Sequence, residues 1–73
     1  MTLDRLASGL DARITVVDSS SPVMLRLMEM GLVPGASVRI EKRAPFGGPL
    51  ELRVGGYLLS IRLDEAKKLT VET

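Results

Sequence analysis

LELRVGGYLLSI, residues 50–61, reads as a β-hairpin. Leu50, Leu52 and Val54 alternate with Glu51 and Arg53 ahead of Gly55-Gly56, and Tyr57, Leu59 and Ile61 alternate with Leu58 and Ser60 behind it. A period of two gives each run one apolar face. The two-residue Gly-Gly loop sets the register, pairing 54 with 57, 52 with 59 and 50 with 61. Each inward apolar residue then meets another across the ladder, so turn chemistry and side-chain pattern specify the same pairing.

Working outward, Ser37 to Ala44 (SVRIEKRA) alternates in the same way, with Val38 and Ile40 inward and Arg39 and Glu41 outward, until APFGGP at 44–49 breaks the pattern. Val33-Pro34-Gly35-Ala36 carries proline and glycine at the second and third positions of a type II turn, which reverses the chain before that strand. Ser21-Pro22 sets an N-cap hydroxyl before a proline at the first helical position, and the helix it opens runs to Met30. Gly31 ends it as the residue suited to the left-handed position past a helix, with Leu32 placed to touch Leu27. Ala12 to Asp18 reads as a first strand with Ala12, Ile14 and Val16 on one face and Arg13, Thr15 and Val17 on the other. Near the N-terminus, Thr2 is expected to cap a single turn that brings Leu3 and Leu6 to the core and ends at Gly9. Asp64-Glu65-Ala66-Lys67-Lys68 reads as a capped turn, and Leu69 and Val71 as a short closing strand.

Five short strands and one short helix cannot bury their apolar faces as a flat sheet, because one face and both edges would stay open. The sequence therefore predicts a mainly β fold: a small, strongly bent barrel of about five strands, with one short helix between the first and second strands, in a single domain spanning 1–73. The one-turn element before the last strand is similar to the corresponding turn of SH3-like barrels.

Composition narrows the chemistry. The 73 residues include 10 Lys and Arg against 9 Asp and Glu, a net charge of +1, so no strong field draws the chain to phosphate backbones or anionic lipid. Nucleic acid is not an expected partner. There is no Cys and no His. That removes disulfides, thiolate chemistry, the commonest general base and the commonest transition-metal ligand, and no cofactor or catalytic residue is implied. No apolar run approaches the roughly 18 residues of a membrane span, and MTLDRLASG lacks the apolar stretch of a signal peptide. The expectation is a cytoplasmic, non-enzymatic chain, complete as it stands.

RLMEMGLVPG at 26–35, APFGGP at 44–49 and LLSIRLDEAKKLTVE at 58–72 together resemble the ferrous iron transport protein A family, FeoA. The resemblance covers most of the chain. It implies an SH3-like barrel and a role beside the membrane ferrous iron transporter FeoB, at its cytoplasmic face. By motif position Arg26, Leu27, Gly31, Leu32, Pro34 and Gly35 match the helix and turn, Ala44, Pro45, Gly47 and Pro49 the loop, and Arg62 the late strand. Gly48 departs from a pattern in which this position is often acidic. A similar domain closes iron-dependent regulators, which sets an alternative reading: a metal-responsive domain that binds a transition metal ion itself. A third class, an SH3-type binder of proline-rich peptides, needs an aromatic-lined groove that one Tyr, one Phe and no Trp do not build.

The residues offered to a partner follow from a surplus on the helix. Val23, Met24, Leu25, Leu27, Met28 and Met30 spread over roughly 220° of its circumference, while a core-facing stripe needs little more than about 100°. With Leu27 central and Val23 and Met30 beside it, Leu25 lies farthest from the core and Met24 and Met28 on the flank. These three, with Arg26, form the candidate contact patch, where methionine suits an adaptable surface. Arg26 and Glu29 read as a solvated pair, and Arg62 as a charge kept in water. Phe46, at the tip of a Pro- and Gly-bounded loop, is either tucked onto the barrel or offered to a partner. Gly47 and Gly48 lack the spacing and the following Lys of a phosphate loop. Self-association is compatible with all of this.

Metal binding has weak support in the residues. The carboxylates are scattered, and the adjacent Asp64 and Glu65 are the only paired candidates for a hard ion, although such a pair is more often a helix cap than a ligand pair. With neither Cys nor His, no ferrous or zinc site tighter than about 10 μM is expected. Anaerobic calorimetry that finds a tighter stoichiometric site would favour the metal-responsive reading.

Overall fold

The computed structural model describes all 73 residues. Five strands, β1 (Asp11–Val17), β2 (Ser37–Arg43), β3 (Leu50–Val54), β4 (Tyr57–Ile61) and β5 (Leu69–Glu72), form one antiparallel sheet in the order β4-β3-β2-β1-β5. Helix α1 (Pro22–Glu29) joins β1 to β2, a one-turn helix α2 (Leu63–Ala66) joins β4 to β5, and a 3-10 turn at Leu3–Arg5 precedes β1. The hairpin pairs Val54 with Tyr57, Leu52 with Leu59 and Leu50 with Ile61, the register expected from the Gly-Gly loop. Gly55 has a φ of 58°, as the first central residue of a hairpin turn requires.

The sheet bends at two bulges. Between Ile14 and Val16, β1 advances two residues while β5 advances one, and between Ile40 and Lys42, β2 does the same against β3. An extra residue, Thr15 and Glu41 respectively, increases twist and reverses which side chains face inward. Val16, expected on one face with Ala12 and Ile14, is consequently 56% exposed while those two are buried, and Val17 turns in to pack on the core instead. The sixteen buried side chains are all apolar, and Ile14, Val38, Ile40, Leu50, Leu52, Ile61, Leu69 and Val71 from the five strands make the centre.

The N-terminus seals one opening of this bent sheet. Leu3 and Leu6 are buried, and the Arg43 guanidinium donates to the carbonyls of Asp4 and Leu6, fixing the 3-10 turn to the end of β2. Thr2 makes no side-chain cap, contrary to expectation; it is drawn into a bridge with Thr70 of β5. Backbone pairing there replaces the local cap.

At α1 the Ser21 hydroxyl accepts from the Met24 amide at 3.3 Å, with Pro22 at the first position. The helix ends at Glu29, one residue earlier than expected, with Met30 as its cap. Gly31, at φ 107°, donates to the Met28 carbonyl at 3.0 Å, and Leu32 donates to the Leu27 carbonyl at 3.1 Å. This pair of bonds is a Schellman motif. The following turn closes from Ala36 to Val33 at 3.0 Å with Gly35 at φ 94°, and Gly35 donates to Ile14 at 2.7 Å, which docks the turn on β1.

Leu27 and Leu32 are both buried on either side of that motif. Leu27→Ala is expected to cost roughly 2 to 5 kcal/mol. Chemical denaturation showing a loss under about 0.5 kcal/mol, the range of surface substitutions, would place Leu27 outside the core.

Candidate interaction surface

The orientation of α1 decides what the chain can offer. Met24 and Leu27, three apart and therefore on one side of the helix, are the two residues α1 buries, and Met28 is half-buried beside them. Met24, expected on the flank of a contact patch, is fully buried and drops out of that patch. The reason is rotational: the core stripe centres near Met24, not Leu27, so Val23 and Met30 turn outward to 49% and 42% exposure. Leu25, at 52%, stays outward as expected, with Arg26 exposed next to it. No ion pair joins Arg26 to Glu29, so both charges stand free in solvent.

Past the helix end the chain meets the tip of the β3–β4 hairpin. A groove of about 740 Å³ opens there, lined by Met30, Gly31, Ala36, Val54 and Tyr57, with Glu29 as its only charged residue. Tyr57, expected inward, is 43% exposed. Its hydroxyl lies close over the helix end: a Cβ on Gly31 would stand 3.0 Å from it. The absence of a side chain at Gly31 thus serves both the left-handed backbone and the approach of Tyr57. Sequence reasoning missed Met30 and Tyr57 as surface residues. The signal was the phenol itself, a polar tip on a position read as core.

Phe46 lies elsewhere. The loop between β2 and β3 closes through Ala44 donating to Pro49 at 3.0 Å and Gly48 donating to Pro45 at 3.2 Å. Phe46 and Gly47 occupy the middle of that inner turn with φ of 59° and 72°. Positive φ at both positions is the type I′ pattern, which suits Gly47 and strains Phe46. The Phe46 ring is fully exposed and packs on nothing, so the open alternative resolves toward solvent. Gly48 has no room for a side chain, since a Cβ there would sit 2.7 Å from that of Ala44. Pro45, Gly47 and Pro49 shape this loop, as Gly31, Leu32, Pro34 and Gly35 shape the helix end. The loop and the Tyr57 groove sit at opposite ends of β3, roughly 15 Å apart at about 3.3 Å per residue.

The outer face of β1, β2 and β3 carries charge instead. Arg39 donates to Asp11 at 2.8 Å and lies 3.6 Å from Glu41, which also takes Arg53 at 3.4 Å. The Arg39 hydrogen bond and charge hold the Asp11 carboxyl below its ordinary value and raise that of Arg39. Asp18 is lowered by its bonds to Ser20, whose amide donates to it at 3.1 Å. At α2, the Glu65 carboxylate accepts from the Arg62 amide at 2.7 Å, so it serves as a helix cap, with Asp64 exposed next to it. No three His, Cys, Asp or Glu side chains come together.

Comparison with known proteins gives this geometry a family setting. The FeoA domain family model matches residues 1–73. An Fe(2+) transport protein A/Fe(2+) transporter FeoB fusion protein from Porphyromonas gingivalis is 33% identical over 72 residues, 99% of this chain. The chain spans only 8% of that relative's length. Iron(II) transport protein A from Clostridium thermocellum is 36% identical with a TM-score of 0.91, over 99% of this chain and 44% of that one. A Stenotrophomonas maltophilia FeoA, complexed with zinc and described as a prokaryotic SH3 domain protein, is 34% identical with a TM-score of 0.84, over 99% of this chain and 89% of that one. The bent five-stranded sheet with its helix between β1 and β2 is thus the SH3-like arrangement expected.

The Asp11–Arg39 pair gives a direct check of the charged face. A depressed carboxyl contributes stability above the ordinary titration range and loses it as pH falls through the folded value. NMR titration should place the Asp11 midpoint below 3.8 in the native chain and return it to that value in Arg39→Gln. Equal midpoints would mean the pair does not form in solution.

Proposed function

Because the chain belongs to the FeoA domain family, we propose that it is a small non-enzymatic accessory protein of ferrous iron uptake, which binds the cytoplasmic part of the membrane transporter FeoB and modulates it. The observation that carries this reading is the Porphyromonas relative, in which a similar domain and the transporter share one polypeptide. Tethering keeps two modules at high effective concentration, an arrangement that suits a domain working on its neighbour. No helix here is long and apolar enough to cross a membrane, so the transporter itself supplies the membrane location in this reading.

The contact surface we infer is the outward side of α1 and the groove at its end: Leu25 and Arg26 on the helix, Met28 at its margin, and Met30 and Tyr57 across the groove. Exposed apolar side chains around a concave surface with one charge at the edge fit a partner that inserts an apolar side chain. Phe46 is a second, separate contact. A bulky residue held at positive φ costs about 1 to 2 kcal/mol, and this one recovers none of it by packing, which motivates a role outside the fold.

Capture of the transporter's cytoplasmic region by the tagged chain tests both contacts. Leu25→Glu should change folding stability by less than about 0.5 kcal/mol and weaken capture at least roughly tenfold. Phe46→Gly should leave the fold as stable as before or more so while also weakening capture. If both variants capture the transporter as the native chain does, the helix side and the loop are not the interface.

A further inference from the structure

The two ends of the sheet differ. At one, β5 is covered by the chain's own N-terminus: the Val71 amide donates to the Met1 carbonyl at 2.8 Å, the Met1 ammonium donates back to Val71 at 3.3 Å, and Thr2 bridges Thr70. At the other, β4 has β3 on one side and no strand on the other. In a two-residue hairpin the residues flanking the turn exchange backbone bonds, so Tyr57, Leu59 and Ile61 direct their backbone groups at β3. Leu58 and Ser60 must direct theirs away, and no group from a loop or helix reaches them. Both residues are exposed.

Natural edge strands are usually blunted by charge, proline or a bulge. Here YLLSI has no charge and no proline, and its five pairs with β3 run without a register shift. We propose that β4 pairs antiparallel with β4 of a second copy of this chain, about a twofold axis beside Leu59. Leu58 then faces Ser60 of the copy, and Ser60 faces its Leu58, each pair exchanging two N–H···O bonds. Leu59 meets its own counterpart in the close-spaced pair between them, and Tyr57 faces Ile61. None of these opposed positions carries a charge, and a net charge of +1 per chain leaves little long-range repulsion. The register is self-complementary, as a twofold interface requires. Since the β5 edge is already filled, pairing exhausts the free edges at two copies and closes, with no route to a fibre.

An interface of one short strand is small, so the dissociation constant is expected on the order of 0.1 mM. Sedimentation from about 10 μM to about 2 mM should move the mass from 7.9 kDa toward twice that value. Over the same range, exchange at the Leu58 and Ser60 amides should slow by about fivefold, while the Leu59 amide, bonded within the hairpin, stays as it is. Ser60→Pro removes a donor that β3 does not use, a position an edge strand tolerates, and should be monomeric throughout with native circular dichroism. Leu58→Lys, a second variant that keeps every backbone group, should weaken association about tenfold or more and decides the matter if the proline variant does not fold. A native chain that stays at 7.9 kDa overturns the proposal. So does a Leu58→Lys or folded Ser60→Pro chain that assembles normally, or amide protection that appears only on adding the transporter's cytoplasmic region, which would assign the edge to a foreign strand.

Discussion

A sheet of five strands, each four to seven residues long, has one apolar face, and in a chain of this size no second sheet exists to cover it. Only bending brings that face against itself. The bulges at Thr15 and Glu41 supply the bend, and other features follow from it. Past the bulge in β1 Val17 turns in and Val16 out, and Leu3 and Leu6 from the N-terminal turn fill the remaining opening. The helix has a correspondingly modest share in the core, since Met24 and Leu27 close one side of the barrel and the rest of α1 is left over.

That remainder is where function resides in the proposed reading. A helix that buries two of its eight residues contributes little to the core for its length, and the apolar side chains on its other faces are not explained by folding. The Schellman motif at Gly31 fixes where the helix stops, and with it the spacing between Met30 and Tyr57 across the groove. Apart from Arg26 and Glu29, which carry no ion pair, the paired charges lie elsewhere. Arg39, Asp11, Glu41 and Arg53 form a connected ladder on the outer face of β1 to β3, where each carboxylate has a cationic neighbour. The molecule therefore presents one salt-laced face and one mainly apolar, open one.

Much of this was legible in the sequence, for identifiable reasons. The hairpin register followed from a two-residue glycine turn and a period of two, both local properties that tertiary context did not alter. The helix cap, its glycine stop and the type II turn were local in the same sense. The misreadings all arose where a distant element chose between local equals. Val16 left the face of Ala12 and Ile14 because a bulge reverses parity, and alternation carries no mark of a bulge. Met24 and Val23 exchanged roles because six apolar residues around a helix do not say on which side the barrel lies. Tyr57 was read by its place in the pattern, but the core ends before it does. The left-handed backbone at Phe46 was hidden for the opposite reason: residue type argues against it, and only the neighbouring Gly47 hinted at a turn of that kind.

The loop that holds Phe46 is short, closed by two backbone bonds and bounded by two prolines. Its ring is aimed before any partner arrives. A flexible loop carrying the same aromatic would lose backbone freedom on contact, and that loss would weaken association directly. Here the ordering has already taken place during folding, at the expense of a marginally less stable barrel. In the proposed reading, recognition and stability are in this way set against each other at a single residue, so selection for a sturdier domain and selection for a tighter complex would pull position 46 in opposite directions.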